Sequence, residues 1–181
     1  MKTKGRKMMQ SSNLEHIINN TAFEIVDKKI LGKNEIDKLL GVLTNDGVYA
    51  MWVYACDKLE LKFKKDKDEL RDTKIFKLLE KISILDKFVT KELDYDGLVE
   101  KIDKLTKEIE ELKNKIKNES ISENNKQELK KTIENLESKR NQQLNDYFIN
   151  LSQNLDNLLF LKNLLERVLV YARYHAKAME D

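Results

Sequence analysis

The chain has 181 residues, a formal net charge of +2, no proline and only five glycines, and 36% of its residues are charged. This composition predicts an all-α protein, and the length supports one domain with a hydrophobic core or a smaller core plus an extension. The near-neutral charge excludes a broadly basic nucleic-acid-binding protein, so any nucleic-acid contact must come from local patches.

Membrane insertion and secretion are not expected. No apolar run approaches the roughly 20 residues that span a bilayer. The N-terminal residues 1–11 are predicted to be a basic, flexible segment, and no apolar stretch of a secretory signal follows them. The basic residues there are Lys2, Lys4, Arg6 and Lys7. Because a single cysteine cannot form an internal disulfide, we expect a reduced, cytoplasmic protein.

Two amphipathic helices are predicted in the first quarter of the chain. The first spans residues 14–31, with a capping box that begins at Ser12. The second spans residues 35–43, with Asn34 as its N-terminal cap. Residues 44–47 then form a turn.

The segment Val48 to Cys56 contains nine consecutive uncharged residues, including the only tryptophan and the only cysteine. A run that is apolar on every side offers no solvent face, so we predict a helix at the centre of the core. The preceding Asn45, Asp46 and Gly47 are predicted to start it, with a side-chain oxygen capping the free amides and glycine relaxing the backbone.

Residues 59–64 read Leu-Glu-Leu-Lys-Phe-Lys, an alternation typical of a strand. Because no partner strand is evident, a continuation of the helix or a loop is preferred. A further amphipathic helix is predicted from Asp72 or Thr73 to about Leu93.

A heptad spacing of apolar residues begins at Leu98. The first seam is Leu98, Ile102, Leu105, Ile109, Leu112 and Ile116. After an interruption at 118–125, where Ser120 and Glu123 fit a capping box, the second seam is Leu129, Ile133 and Leu136. Two such helices joined by a short turn predict an antiparallel coiled-coil hairpin.

The C-terminal helix is predicted to continue the second arm without a break, because no glycine or proline follows Gly97. Its apolar stripe is wide and includes Leu159 and Phe160, so we expect it to pack in the core. The predicted fold class is therefore an all-α helical bundle, residues 12–97 and 148–181, with a projecting antiparallel coiled-coil hairpin, residues 98–147.

No catalytic constellation is apparent. His16 and His175 lie far apart, and neither has other ligands at metal-binding spacing. Cys56 has no basic flank that would lower its pKa, so it is interpreted as a small core residue. Glycine-rich phosphate loops are absent. We therefore expect no enzyme activity, no cofactor, no metal and no small-molecule substrate.

Local patches that could contact nucleic acid are the basic N-terminus and a second patch that Glu60 and Asp66 dilute: Lys58, Lys62, Lys64, Lys65 and Lys67. A further candidate is the C-terminal helix, with Arg167, Tyr171 and Tyr174 on one face and Arg173 and Lys177 as an i, i+4 pair. Basic and aromatic residues together hold phosphates and stack on exposed bases. The alternative is a solvated surface, with tyrosines at the rim of the core and cations at a helix C-terminus.

Residues 45–58 and the end of the C-terminal helix together resemble the small helical subunit of type III CRISPR RNA-guided effector complexes, especially the III-B form. In that family a helix begins after an Asn-x-Gly turn, followed by apolar residues, an aromatic and a lysine. The corresponding residues are Asn45, Gly47, Val48, Met51, Trp52, Tyr54 and Lys58. The family's C-terminal amphipathic helix is similar to Leu169, Tyr171, Tyr174 and Lys177. The long charged hairpin departs from the compact family pattern.

The resemblance implies a non-catalytic subunit that stacks in a short filament along the RNA-binding backbone subunits. It also implies that basic surface residues stabilise the duplex of guide and target RNA. The candidate RNA-binding residues are Lys58, Lys62, Lys64, Lys65, Arg167, Arg173 and Lys177, of which only Lys58 and Lys177 match motif positions.

A rival hypothesis is a coiled-coil tether or chaperone-like interaction module whose hairpin grips a partner helix. This hypothesis explains the many Lys and Glu residues in the two arms of the hairpin. It does not explain the apolar segment that follows Asn45. A helical DNA-binding regulator is less favoured, because no short polar recognition helix follows a glycine turn.

Overall fold

The computed structural model describes residues 3–118 and 122–179, with side chains described for 13–117 and 122–179. Within these residues the chain forms eight α-helices and no strand, which confirms the predicted all-α class. The helices are α1 (Thr3–Asp27), α2 (Lys33–Asp46), α3 (Val48–Lys58), α4 (Lys67–Asp72), α5 (Lys74–Asp86), α6 (Tyr95–Asn118), α7 (Glu123–Leu151) and α8 (Leu155–Ala178). None of these helices is both long and apolar enough to cross a lipid bilayer.

The main core forms where α8 packs along α1 and α2, α2 packs on α3, and α5 contacts α1 and α8. Trp52 of α3 and Phe148 of α7 are fully buried there, with stacked rings whose centroids lie 4.6 Å apart. The Trp52 Nε1–H donates to Asn145 Oδ1 at 3.0 Å, so its polar atom is satisfied. This contact joins α7 to the bundle.

The prediction that α3 has no solvent face is wrong. Met51, Trp52 and Ala55 are buried, but Tyr49 is 44% exposed and Val53 is 47% exposed. The reason is that α2, α7 and α8 cover only part of the circumference of this short helix, and Tyr49 and Val53 lie one turn apart on the uncovered part.

Gly47 separates α2 from α3 with a φ of 91° and a ψ of −174°, a conformation open almost only to glycine. No side chain caps α3, so the predicted cap from Asn45 or Asp46 is wrong. Both residues lie within α2, which extends to Asp46. The change of direction between α2 and α3 therefore depends on the backbone conformation of Gly47, and no side-chain cap contributes to it.

Other predicted helix ends are also wrong. Helix α1 begins at Thr3, so Ser12 lies within it, and Ser120 lies outside the described residues. Gly32, not Asn34, is the N-cap of α2, and its N–H donates to the Glu35 carboxylate at 2.7 Å. Helix α5 ends at Asp86, well before Leu93, because this carboxylate accepts hydrogen bonds from the backbone N–H groups of residues 90, 92 and 93.

The predicted continuous C-terminal helix is interrupted at residues 152–154. The Ser152 hydroxyl donates to the Ile149 carbonyl, and Asn154 Oδ1 accepts from the Asn157 N–H at 3.0 Å. Such side-chain bonds to the backbone compete with the helical ladder, which is why a break occurs without glycine or proline.

Leu159 and Phe160, predicted to lie in the core, are 53% and 41% exposed, and Leu155 is 64% exposed. The buried residues of α8 are Leu161, Leu164, Leu165, Val168, Leu169, Ala172 and Ala176. Their spacing of three and four defines a single stripe, and Leu159 and Phe160 lie outside its angular width.

Helices α6 and α7 pack side by side in opposite directions. Arg140 of α7 donates to Thr106 of α6, and farther along α6 Lys113 pairs with Glu137, which precedes Arg140 on α7. Ile109 is buried outside the main core cluster and belongs to this pair of helices. The coiled-coil geometry of the hairpin and its projection from the bundle stay predictions.

Candidate nucleic-acid interface

Residues 59–66, between α3 and α4, form a loop, which was one of the two conformations preferred for the alternating segment. Leu59 is buried and Leu61 and Phe63 are half-buried, whereas the charged residues between them are exposed. The alternation of the sequence therefore reflects a loop with one apolar side against the helices. Its other side presents Lys62 and Lys64 to solvent.

The apolar side of this loop is anchored on the pair α6 and α7. The Arg140 guanidinium carbon lies 3.6 Å from the centre of the Phe63 ring, and Nη1 of the same arginine donates to Thr106 Oγ1 at 3.2 Å. Burial lowers the pKa of Arg140, but a guanidinium stays charged at neutral pH. Lys65 Nζ also lies 3.2 Å from a carboxylate oxygen of Glu110 on α6. These contacts hold the loop against α6 and α7.

A cleft lies between this loop, the end of α3 and the first turns of α2 and α5. Its outer part has a volume of about 370 Å³, and its charged lining residues are Lys58, Lys62, Lys64, Lys74, Glu35 and Glu60. An inner part of about 140 Å³ adds Asn34, Lys38 and Tyr54. The two parts share Glu35, Lys58 and Leu59 as lining residues and therefore adjoin each other. We call this feature the lysine cleft, defined by Lys38, Lys58, Lys62, Lys64 and Lys74.

Two ion pairs lie within the cleft. Lys74 Nζ is 2.7 Å and 2.9 Å from the two carboxylate oxygens of Glu35, and Lys62 Nζ is 2.5 Å from Glu60 Oε2. The hydrogen bond from Lys62 lowers the pKa of Glu60, so this carboxylate is charged at neutral pH. The cleft is lined by five lysines and two glutamates, and Asp57, which pairs with Lys58, leaves an excess of two positive charges.

The remaining lysines of the cleft differ in their partners. Lys58 pairs with its neighbour Asp57 at 2.7 Å, and this hydrogen bond raises the pKa of Lys58. Its Nζ also lies 5.8 Å from the centre of the Tyr54 ring. Lys38 and Lys64 are exposed and form no ion pair with any residue that the structure describes. They are therefore the cations most available to an anionic ligand.

Three other predicted site residues contact protein carboxylates outside the cleft. Lys65 pairs with Glu110, as described above. Arg167 donates to both carboxylate oxygens of Glu15 at 2.5 Å and 2.6 Å, which joins α8 to α1 and raises the pKa of Arg167. Arg173 Nε lies 2.7 Å from Asp37 Oδ1 and joins α8 to α2. These contacts are typical of helix packing.

Lys177, the last predicted site residue, is exposed, and so is Tyr174 at 64%. Neither Arg173 nor Lys177 lines the lysine cleft. The structure thus brings Lys58, Lys62 and Lys64 together but does not bring Arg173 and Lys177 into the same site.

Sequence reasoning missed Lys38 and Lys74 as members of the site. Each lies near the start of an amphipathic helix, where lysine is ordinary, and only the packing of α2 and α5 around the loop brings them together. The basic side chains of the N-terminal segment 1–11 lie outside the described side chains.

Cys56 is half-buried, and this burial raises the pKa of its thiol to about 12. The thiol is therefore protonated at neutral pH, which agrees with its interpretation as a packing residue. Among the described residues, no three or more His, Cys, Asp or Glu side chains are placed to hold a metal ion.

Comparison of the chain with protein-family profiles, with curated protein sequences and with solved structures finds no significant match. The resemblance to small CRISPR subunits therefore stays a prediction that depends on residues 45–58 and on the end of α8.

Proposed function

We propose that the chain is a non-catalytic RNA-binding subunit of a type III-like RNA-guided effector complex in the cytoplasm. The observation that carries the proposal is the lysine cleft, where five lysines from α2, α3, α5 and the intervening loop converge. The resemblance of residues 45–58 and of the end of α8 to the small subunit family supports the same function.

RNA phosphates would replace the present partners of the cleft lysines. Lys62 and Glu60 are mostly exposed, at 64% and 72% of their side-chain surface, and exposed ion pairs contribute little to stability. Exchanging a carboxylate for a phosphate therefore costs little, while counterions released from the RNA favour binding. The cleft supplies charge and position and no chemical step.

The proposed protein partners are the backbone subunits of the complex and further copies of this chain in a filament. Exposed Leu155, Leu159 and Phe160 on α8, and Tyr49 and Val53 on α3, support a protein contact, because large exposed apolar residues often mark interaction surfaces. No membrane, cofactor or small-molecule substrate is part of the proposal.

A binding experiment with the purified chain tests the RNA-binding role. We expect RNA to bind at low salt and the charge-reversal variant Lys58→Glu/Lys64→Glu to lose that binding. The matched control is Lys130→Glu/Lys131→Glu, which reverses two exposed lysines of α7 and should bind as the wild type does. Absence of RNA binding by the wild type at low salt, or equal loss in both variants, contradicts the proposal.

The second candidate function is a tether or chaperone-like module. The observation that favours it is the antiparallel packing of α6 and α7, with an ion pair between Lys113 and Glu137. In that case the protein would associate with a helical partner through α6 and α7, and this association would be insensitive to the cleft variants.

A further inference from the structure

We infer that the lysine cleft takes an unpaired nucleic-acid strand, with phosphates on its lysines and one base against the Tyr54 ring. This inference rests on the proposed RNA-binding function and specifies single-stranded RNA as the ligand of the cleft, in contrast to the guide–target duplex that the family resemblance implies. It also adds Lys38, Lys74 and Tyr54 to the predicted site.

The recessed position of the aromatic residue is the first argument. Tyr54 is half-buried and lines the inner part of the cleft, between the first turn of α2 and the last turn of α3. In an A-form duplex the bases are stacked and paired inside the helix, so no base face is free to enter such a recess. An unpaired strand, in contrast, can turn one base out of its stack and place it on an aromatic ring.

The polar groups around the Tyr54 ring are the second argument. Asn34 is exposed at the rim of the inner part, and its amide offers a donor and an acceptor to the edge of a base. Lys58 lies over the Tyr54 ring, with Nζ 5.8 Å from its centre, and it lines both the inner and the outer part. The inner part, about 140 Å³, is smaller than the roughly 300–1,000 Å³ of most ligand pockets. It suits one ring and not a whole metabolite.

The distribution of charge is the third argument. Lys38 and Lys58 line the inner part together with Tyr54, and Lys62, Lys64 and Lys74 line the adjoining outer part. Cations are therefore present both beside the aromatic ring and in the adjoining part of the cleft, as needed where a backbone runs past a stacked base. Lys38 and Lys64, which have no ion pair among the described residues, provide the first phosphate contacts.

The test measures binding of the full chain to a fluorescent 12-nucleotide oligouridine and to a blunt RNA duplex of the same length. We expect the single strand to bind at least 10-fold more tightly. Tyr54→Leu should weaken single-strand binding by roughly 5- to 150-fold, the range seen when one stacked base loses its aromatic partner. Tyr54→Phe, which keeps the ring, should bind as the wild type does.

Cross-linking uses the wild-type protein, so its result does not require that a Tyr54 variant folds. With 5-iodouridine in the oligonucleotide, we expect a photo-adduct on the peptide that contains Tyr54. Adducts confined to other peptides overturn the inference.

The outcomes separate this inference from the proposed function. If neither RNA binds at low salt, both fail. If duplex and single strand bind equally and Tyr54→Leu has no effect, RNA binding stands but the single-strand site is wrong. If inorganic polyphosphate or an acidic peptide displaces the oligonucleotide at equal charge, the cleft is a general anion site and the inference is overturned.

Discussion

Gly47 is the residue that lets α2 and α3 follow each other without a loop. Its φ of 91° lies in the region that favours glycine, and a Cβ placed on it would meet no atom within 4 Å. The requirement at this position is therefore conformational and not steric. Gly41, inside α2, also has room for a Cβ, with no atom within 4 Å, but its φ is not positive.

Substitution by alanine is expected to have opposite effects on stability at the two glycines. Gly47→Ala should destabilise the fold by about 1–3 kcal/mol, because alanine is strained in this conformation. Gly41→Ala should stabilise it by about 0.5–1 kcal/mol, because alanine is favoured inside a helix. Urea unfolding of both variants measures the difference. Equal effects of the two substitutions would show that the conformation of Gly47 does not limit stability.

Asp86 is the one buried carboxylate among the described residues. It is 1% exposed, and it accepts hydrogen bonds from Thr90, from the N–H groups of Glu92 and Leu93, and from the Tyr147 hydroxyl at 2.7 Å. Burial alone would raise the pKa of Asp86, but these hydrogen bonds hold it below its ordinary value. The carboxylate thereby ties the end of α5 and the following loop to α7.

This environment predicts a pH dependence of stability. A carboxyl whose pKa is lowered by folding contributes stability above its unfolded pKa of about 3.9, and that contribution is lost as the pH falls through the folded pKa. Asp86→Asn should therefore lower the free energy of unfolding by about 2–3 kcal/mol at pH 7. Below pH 4 the stability of this variant should fall less steeply than that of the wild type. Glu111→Gln, an exposed residue of α6, is the control. If the stability of Asp86→Asn falls below pH 4 as steeply as that of the wild type, this role of Asp86 is contradicted.

At the scale of elements, the loop 59–66 depends on its apolar side for its position. Phe63 stacks on Arg140 of α7, and the Leu61 N–H donates to the Cys56 carbonyl at 3.0 Å. A cation over an aromatic ring contributes about 0.5–2 kcal/mol, increasing as the pair is desolvated. The loop is therefore held on the helices while its lysines face solvent.

Removing this anchor should loosen the loop without unfolding the bundle. Phe63→Ala is expected to speed hydrogen exchange of the Leu61 amide and to weaken RNA binding, because the loop that carries Lys62 and Lys64 is then held less firmly. Phe23→Ala, which removes a 47%-exposed ring from α1, is the matched control. Unchanged exchange at residue 61 would show that the Arg140 contact does not position the loop.

Periodicity predicted the fold class and the buried stripes, because burial of one face depends on spacing that the sequence shows directly. Ile18, Ala22 and Ile25 of α1, spaced four and three residues apart, are all buried. Helix ends were less predictable, since the break after α7 depends on two local side-chain bonds that do not require glycine or proline.

The candidate site was predictable only in part. Lys58, Lys62 and Lys64 are close in sequence and were found together, whereas Lys38 and Lys74 join them only through the packing of α2 and α5. The carboxylate partners of Arg167 and Arg173 lie 152 and 136 residues away in the chain. Such partners leave no local signal, so both arginines were predicted as RNA contacts.

At the scale of the whole molecule, RNA binding by the bundle can be tested separately from any role of the distal parts of α6 and α7. Replacing residues 114–136 with a short Gly/Ser linker removes the distal parts of α6 and α7 but keeps the lysine cleft and Arg140. We expect the folded bundle and its RNA affinity to be unchanged. If this variant loses RNA binding, the bundle alone does not form the interface. If it loses only a protein partner, the tether function gains support.

The central claim, that the chain binds RNA phosphates through the lysine cleft, is tested most directly by the salt dependence of binding. For a single strand, the slope of log K against log salt is about −0.7 per phosphate neutralised. Replacing Lys58 and Lys64 by alanine should therefore make the slope shallower by about 1.4 units. The same replacement of Lys130 and Lys131 on α7 should leave the slope unchanged. An unaltered slope in the Lys58→Ala/Lys64→Ala variant would contradict the claim.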